Sequence, residues 1–346
     1  MSNPIAMGAQ LAASAARFSW FYGINQVMDA STQRQGHRSS YKPARPSPSR
    51  EALMIELASL FLADAEAVRR GLYPTMDAEP ISMIEHVTRV RAMMADLPDA
   101  LTRRAAADAA SVRSEPGADA VPDYYAQDFH FQSGGYLSEQ SARLYDVQVE
   151  TLFYGAANAM RRAALSPLAK EIAGRDQRQL ALLDIACGTG RFLRQVRLAW
   201  PALRLTGLDL SAAYLREAAR HLEPLRPVEW LEGNAEAIPF PDASQDIVTS
   251  IFLFHELPPE VRRRVTAEMA RVLKPGGLLV FVDSLQMGDR PGWDSLLEAF
   301  PVRFHEPYFH HYAIDDLDAL FNEAGLEAES QSLAFLSKVM VRRKVR

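Results

Sequence analysis

The sequence predicts an α/β protein, a doubly wound parallel sheet preceded by an α-helical N-terminal region. Three observations predict it. From Gln179 onward, short apolar runs at 180–186, 203–208, 228–231, 246–253 and 277–283 alternate with helical segments, the texture of βαβ units. Residues 1–122 show helical periodicity instead, with no glycine-rich loop and no metal-ligand spacing. The composition, 48% hydrophobic and 23% charged over 346 residues, is that of a globular chain able to bury a full core. With 38 Lys and Arg against 43 Asp and Glu, the net charge of -5 draws nothing onto a polyanion, and no nucleic-acid partner is expected. Cys187 is the single cysteine, so an internal disulfide is excluded and a reducing, cytoplasmic setting is expected.

Taken in order, Met1 to Ala16 lacks the basic start and leucine-rich centre of a secretory signal, and no run of about 18 apolar residues predicts a membrane span. Leu11 to Met28 reads as a helix whose Phe18, Trp20, Phe21 and Tyr22 dock on the chain itself or on a dimer mate; peripheral contact with a membrane surface is the alternative. Thr32 to Ser49 is a Pro-, Ser- and Arg-rich linker. Behind Ser49, Leu53, Ile55, Leu57, Leu60, Phe61 and Val68 recur at helical spacing until Gly71 and Pro74. Pro80 to Met94 and Asp99 to Val112 read as two more helices, ended by Pro116, Gly117 and Pro122. Three parts follow: a helical region over 1–122 serving packing, lid formation or association; a connector over 123–174; and the α/β unit over 175–346. The connector opens on aromatics, Tyr124 to Tyr136, that wall a pocket or bridge the two larger parts, and Ser138 caps a helix from Glu139 to Met160.

The chemistry concentrates in the α/β unit. Leu182 to Leu193 (LLDIACGTGRFL) is a buried strand ending near Asp184, a turn with Gly188 and Gly190, and a helix start whose free amides face a ligand. Neither register of the turn supplies the third glycine of a dinucleotide fingerprint, so the loop serves a different cofactor. One βα unit later, Asp209 closes a strand where a carboxylate can accept from both ribose hydroxyls of an adenosine. Asn234 follows the third strand, placed for an adenine edge with Ile238 packing nearby. The fourth strand delivers His255 and Glu256 to the sheet's carboxyl edge, where ligands of open α/β folds sit.

The Asp184-x-Ala-x-Gly-x-Gly turn, the acid at Asp209, the Gly233 to Phe240 stretch and the Lys274-Pro275-Gly276-Gly277 turn together resemble the class I S-adenosylmethionine-dependent methyltransferases. The resemblance covers roughly residues 175 to 340. GNAEAIPFP and RVLKPGG are similar to the ubiquinone and menaquinone type of small-molecule methyltransferase. What it implies is a seven-stranded, mostly parallel sheet and S-adenosylmethionine as cofactor. Asp184, Ala186, Cys187, Gly188 and Gly190 would surround its methionine end, Asp209 with Leu210 its ribose, and Asn234 with Ala235 its adenine. Two positions depart from the family pattern. Ala186 replaces a glycine, a sterically mild change, and Asn234 replaces an aspartate while keeping an acceptor oxygen.

Methyl transfer from a sulfonium is an in-line displacement governed by positioning, and a base is needed only if the acceptor carries a proton. His255 is the candidate base, the alternative being that it orients its loop while Glu256 caps the helix near Pro259. Tyr136, Phe254, Glu256, His305, Tyr308 and His311 are candidate acceptor contacts. The histidine-rich Phe304 to Tyr312 insertion would lie over the site; its spacing matches no standard metal site, and no metal is expected. The basic Lys338, Arg342, Arg343, Lys344 and Arg346 are expected to protect a sheet edge. The function expected is methyl transfer to a small apolar or aromatic acceptor, with a protein methyltransferase or a catalytically silent cofactor-binding subunit as alternatives.

Overall fold

The computed structural model describes residues 3–34, 41–76, 79–106 and 108–345. Among the described residues six α-helices precede the sheet: α1 (Pro4–Arg34), α2 (Arg50–Arg69), α3 (Met83–Ala106), α4 (Glu139–Leu152), α5 (Ala157–Arg162) and α6 (Leu165–Ile172). The α/β part then runs β1 (Ala181–Ile185), α7 (Arg191–Ala199), β2 (Arg204–Asp209), α8 (Ala212–Leu222), β3 (Glu229–Glu232) and β4 (Gln245–Ile251). It continues with α9 (Pro259–Val272), β5 (Leu273–Ser284), α10 (Asp294–Arg303), α11 (Phe309–Ile314), α12 (Leu317–Glu323), β6 (Leu326–Ala334) and β7 (Ser337–Lys344).

The seven strands lie in the order β3-β2-β1-β4-β5-β7-β6. Pairing is parallel from β3 through β5, and β7 is antiparallel to both β5 and β6. The order reverses between β1 and β4, and such a switch point leaves a crevice at the strands' carboxyl ends. β1 and β4 are buried along nearly their whole length, with Leu182, Leu183, Ile185, Ile247 and Val248 flanking the buried polar Asp184, Thr249 and Ser250. One core layer packs β1, β4 and β5 against α2, α5 and α6 through Leu182, Ile247, Val280, Leu57, Met160 and Leu168. The opposite layer packs the sheet on α9 and α12 through Val248, Phe281, Val265 and Phe321.

Three sequence expectations change. α1 extends well beyond Leu11 to Met28, and of its aromatics Phe21 is buried against Met93 and Val147 while Trp20 stays 44% exposed. The central part of the expected linker, 35–40, lies outside the described residues, as does Arg346. The two helices expected around Pro98 are one, α3; Pro98 removes one backbone donor, yet Met93 and Leu101 on either side are both buried. Finally, the basic end strand does not guard the sheet edge. β7 is inserted between β5 and β6, its cations satisfied by Glu171, Glu329, Asp289 and Asp318, and β6 forms the edge. No helix among the described residues is long and apolar enough to cross a membrane.

Candidate active site

At the switch point the chain leaves β1 into a turn of three left-handed residues, Ala186 (φ 55°), Gly188 (φ 54°) and Gly190 (φ 70°). Gly190 lies behind the cleft wall, and a Cβ on it would stand 2.9 Å from the Ala218 Cβ; glycine there lets α7 and α8 approach. Ala186 does lie on the wall, and its positive φ makes the alanine strained, unlike the mild change read from sequence. Ala186→Gly is expected to raise stability by roughly 1 kcal/mol, measured by chemical unfolding, without weakening cofactor binding.

Asp209 organises this turn. Its Oδ2 accepts from the Gly188 amide at 2.7 Å and its Oδ1 from the Ser211 amide at 2.9 Å. Burial raises its carboxyl to about 6, against the backbone donors, which favour the ionised form. Asp184 accepts from the Thr249 hydroxyl at 2.6 Å, and burial raises it to about 7. Asp184, Ala186, Cys187, Gly188, Asp209, Leu210, Asn234 and Ala235 line one cleft. Burial drives the Cys187 thiol well above its ordinary value, so it serves there as an apolar wall. Asn234 turns its Oδ1 onto the Glu236 amide at 2.9 Å.

The connector roofs the cleft with Tyr124, Tyr125, Phe129, Tyr136 and Tyr145. Phe129 stacks on Tyr136, centroids 5.4 Å apart, and the Tyr136 hydroxyl donates to Glu256 Oε1 at 2.6 Å. A second cavity, of about 470 Å³, adjoins this cleft and shares Tyr145, Phe252 and Glu256 with it. Its walls are mainly aromatic and apolar, with Phe300, Phe304, Phe309, Phe335 and Leu152 prominent, and polar groups come from His130, His255 and Glu256 and also from Asn25, Asp29, Arg104 and Arg303.

His255 lies against this second cavity with Nδ1 2.6 Å from Asp283 Oδ1 and Nε2 3.8 Å from Glu256 Oε1. Burial opposes a charged ring, but the adjacent Asp283 carboxylate outweighs it and raises His255 to about 10. A ring so held is already protonated near neutrality, which runs against its expected role as base. Asp283 also accepts from the Leu253 and Phe254 amides at 3.1 and 2.7 Å, fixing the loop that carries the imidazole.

The other expected contacts divide. Tyr136 and Glu256 meet in the cleft wall. Phe254 is fully buried between Phe281 and Phe321, away from both cavities, because its 3-10 turn points it into the sheet's opposite layer. His305 and Tyr308 bond the two ends of the Gln127 amide, at 2.9 Å each, and lock the insertion to the connector. His311 is exposed on α11, whose inner face is Phe309 and Tyr312. Sequence reasoning missed the clamp on the cofactor turn. The Thr189 hydroxyl donates to Asp146 at 2.7 Å, and Arg191 pairs with Glu79 at 2.9 Å, itself paired with Arg17 of α1. These partners are 43 to 112 residues apart, so no local spacing signals them, whereas Tyr124, Tyr125 and Tyr136 of the roof stood out in the YYAQDFHFQSGGY tract.

A family model described as "Methyltransferase domain" matches residues 182–277. A demethylmenaquinone methyltransferase of Listeria welshimeri is 37% identical over 139 residues, 39% of this chain and 57% of that protein. A ubiquinone/menaquinone biosynthesis C-methyltransferase of Methylobacterium nodulans is 34% identical over 166 residues, 47% of this chain and 63% of that protein. A demethylmenaquinone methyltransferase of Lysinibacillus sphaericus is 30% identical over 164 residues, 42% of this chain and 69% of that protein. The chain thus spans a little over half the length of the first of these relatives. With the doubly wound sheet, the glycine turn and the acid at the end of β2, these likenesses place the chain in the class I S-adenosylmethionine-dependent methyltransferases.

Proposed function

We propose that this protein transfers a methyl group from S-adenosylmethionine to a small acceptor that is apolar or aromatic in its bulk. The observation that carries the reading is the aromatic cavity of about 470 Å³ that shares Glu256 with the cleft holding the family's cofactor turn. That volume is in the range of small-molecule sites. The cleft fits the cofactor: a buried, backbone-braced carboxylate at Asp209 suits ribose hydroxyls, and the turn after β1 brings amide groups to its wall. S-adenosylmethionine, when bound, supplies an activated methyl on a sulfonium. The chain's residues do the positioning. The tyrosine roof excludes water, Tyr136 fixes the Glu256 carboxyl by its 2.6 Å bond, and Asp283 fixes the His255 ring against the acceptor cavity. The names of the relatives, demethylmenaquinone and ubiquinone/menaquinone methyltransferases, favour acceptors of the hydroquinone type, a polar ring with an apolar body. The acidic net charge supports an acceptor other than nucleic acid, and the single cysteine supports a cytoplasmic setting.

The test is formation of S-adenosylhomocysteine and a methylated product from naphthohydroquinones and benzohydroquinones of graded side-chain length. Turnover is expected to rise with apolar bulk up to the cavity's limit; absence of product with the whole panel, in protein that binds the cofactor, would remove the reading. Glu256→Gln is expected to lower kcat by roughly 100-fold or more while changing cofactor affinity only a few-fold, checked by turnover and calorimetry on the same sample.

A further inference from the structure

Beside the acceptor cavity stands a group of polar side chains that the folded chain leaves incompletely bonded. Glu306, in the turn between α10 and α11, is 2% exposed, and neither carboxylate oxygen has a hydrogen-bond partner. Its Oε1 is 3.1 Å from His130 Nε2, without the alignment of a hydrogen bond. One carboxylate oxygen each from Glu306 and Glu256, together with a ring nitrogen of His130, lie within 4.8 Å of one another. The three residues come from three separate parts of the chain: the connector, the loop after β4 and the insertion before α11.

The geometry points to a divalent transition-metal site formed by His130, Glu256 and Glu306, with its open side toward the acceptor cavity. Ligand atoms bonded at about 2.1 Å to one ion stand roughly 3.0 to 3.4 Å apart on adjacent positions, which the His130–Glu306 separation of 3.1 Å meets. Unmet bonding supports the same conclusion. Among the described residues no lysine or arginine pairs with Glu256 or Glu306, and both Glu306 oxygens are buried without a hydrogen-bond partner. A divalent ion supplies the partner those oxygens lack. The donors suit it. His130 presents its Nε2 toward Glu306 as a nitrogen donor. Tyr136 braces Glu256 from outside, as ligand carboxylates are commonly braced. One nitrogen and two oxygens favour Zn(II), Mn(II) or Fe(II) over a soft, sulfur-seeking ion. Because His130 and Glu256 line the acceptor cavity, the ion would take an acceptor hydroxyl as a further ligand and orient it. That role rests on the methyl transfer proposed above, whereas the site itself does not.

The experiment uses the full chain, stripped with chelator and titrated separately with Co(II) and Zn(II), each sample also titrated with S-adenosylhomocysteine. About one equivalent of either metal per chain is expected, with visible Co(II) bands. His130→Asn and Glu306→Gln are each expected to weaken metal affinity at least about tenfold while S-adenosylhomocysteine binding stays within a few-fold, which also certifies the fold. X-ray absorption of the wild-type Zn(II) form, independent of any variant, should show one imidazole among oxygen ligands. No stoichiometric binding, binding that survives both substitutions, or a sulfur ligand would each overturn the site. Metal binding without S-adenosylhomocysteine binding would instead leave the site standing and remove the methyltransferase reading.

Discussion

Replacing Asp209 by alanine is expected to weaken S-adenosylmethionine and S-adenosylhomocysteine binding by about 30- to 1,000-fold, read by calorimetric titration. Two losses combine. The carboxylate's bonds to the ligand hydroxyls disappear, each of the charge-assisted kind contributing about 1.5 to 3 kcal/mol. The Gly188 and Ser211 amides, 2.7 and 2.9 Å from its oxygens, also lose the acceptor that shapes the turn. Together these come to roughly 2 to 4 kcal/mol, which sets the stated range. The same carboxyl sets a pH dependence. Burial raises it to about 6, so above that pH it is ionised and affinity is flat. Below it the proton occupies the acceptor, and affinity falls up to about tenfold per pH unit. Asp209→Asn, which cannot titrate, is expected to bind weakly at all pH values with that acid limb gone. Alanine-variant affinity equal to wild type in a folded sample would remove the ribose assignment.

The parts of this site legible in the sequence are those whose signal is local. The βα alternation marks β1 through β5, because buried parallel strands are short apolar runs whatever they pack against. Asp209 is legible because a carboxylate at a strand end next to a helix start has few uses. What escapes the sequence is what the third dimension decides. His255 sits where it was expected, yet its partner Asp283 comes from the next strand and reverses the proton chemistry. Phe254, its neighbour in sequence, turns into the opposite core layer, and no pattern in Phe254-His255-Glu256 announces which of three successive side chains faces the ligand. The insertion's histidines behave likewise. His305 and His311 are spent on locking and on solvent, and the histidine that joins the buried carboxylates, His130, belongs to the aromatic connector over 170 residues earlier than Glu306 in the chain. The edge assignment of the basic end strand failed because sheet order is topological: β7 reads as a terminus but folds back between two strands.

Besides the clamp on the cofactor turn, the N-terminal helices bear on function through a buried ion pair between α2 and α5. Arg162 of α5, 1% exposed, donates from Nε and Nη2 to the two oxygens of Asp64 in α2, at 2.8 and 2.7 Å. Tyr73 and Gln10 donate to the same carboxylate at 2.9 Å each, and Arg162 also reaches the Met76 carbonyl at 3.2 Å. One carboxylate therefore joins α1, α2 and α5, and α1 and α2 contribute Asn25, Asp29 and Leu53 to the acceptor cavity. Asp64→Ala removes the carboxylate that accepts these four side-chain bonds at a buried ion pair, a change that costs about 3 to 5 kcal/mol. Chemical unfolding should report a loss of that size. Asp64→Ala with Arg162→Met removes both partners and keeps apolar volume, so it should recover much of the loss, because well-packed apolar groups replace a buried pair at little cost. Where the single variant remains folded, the acceptor KM should rise several-fold while cofactor affinity changes little, since the helices wall one cavity and the strand ends shape the other. A double variant as unstable as the single one would show that α1, α2 and α5 depend on the pair itself.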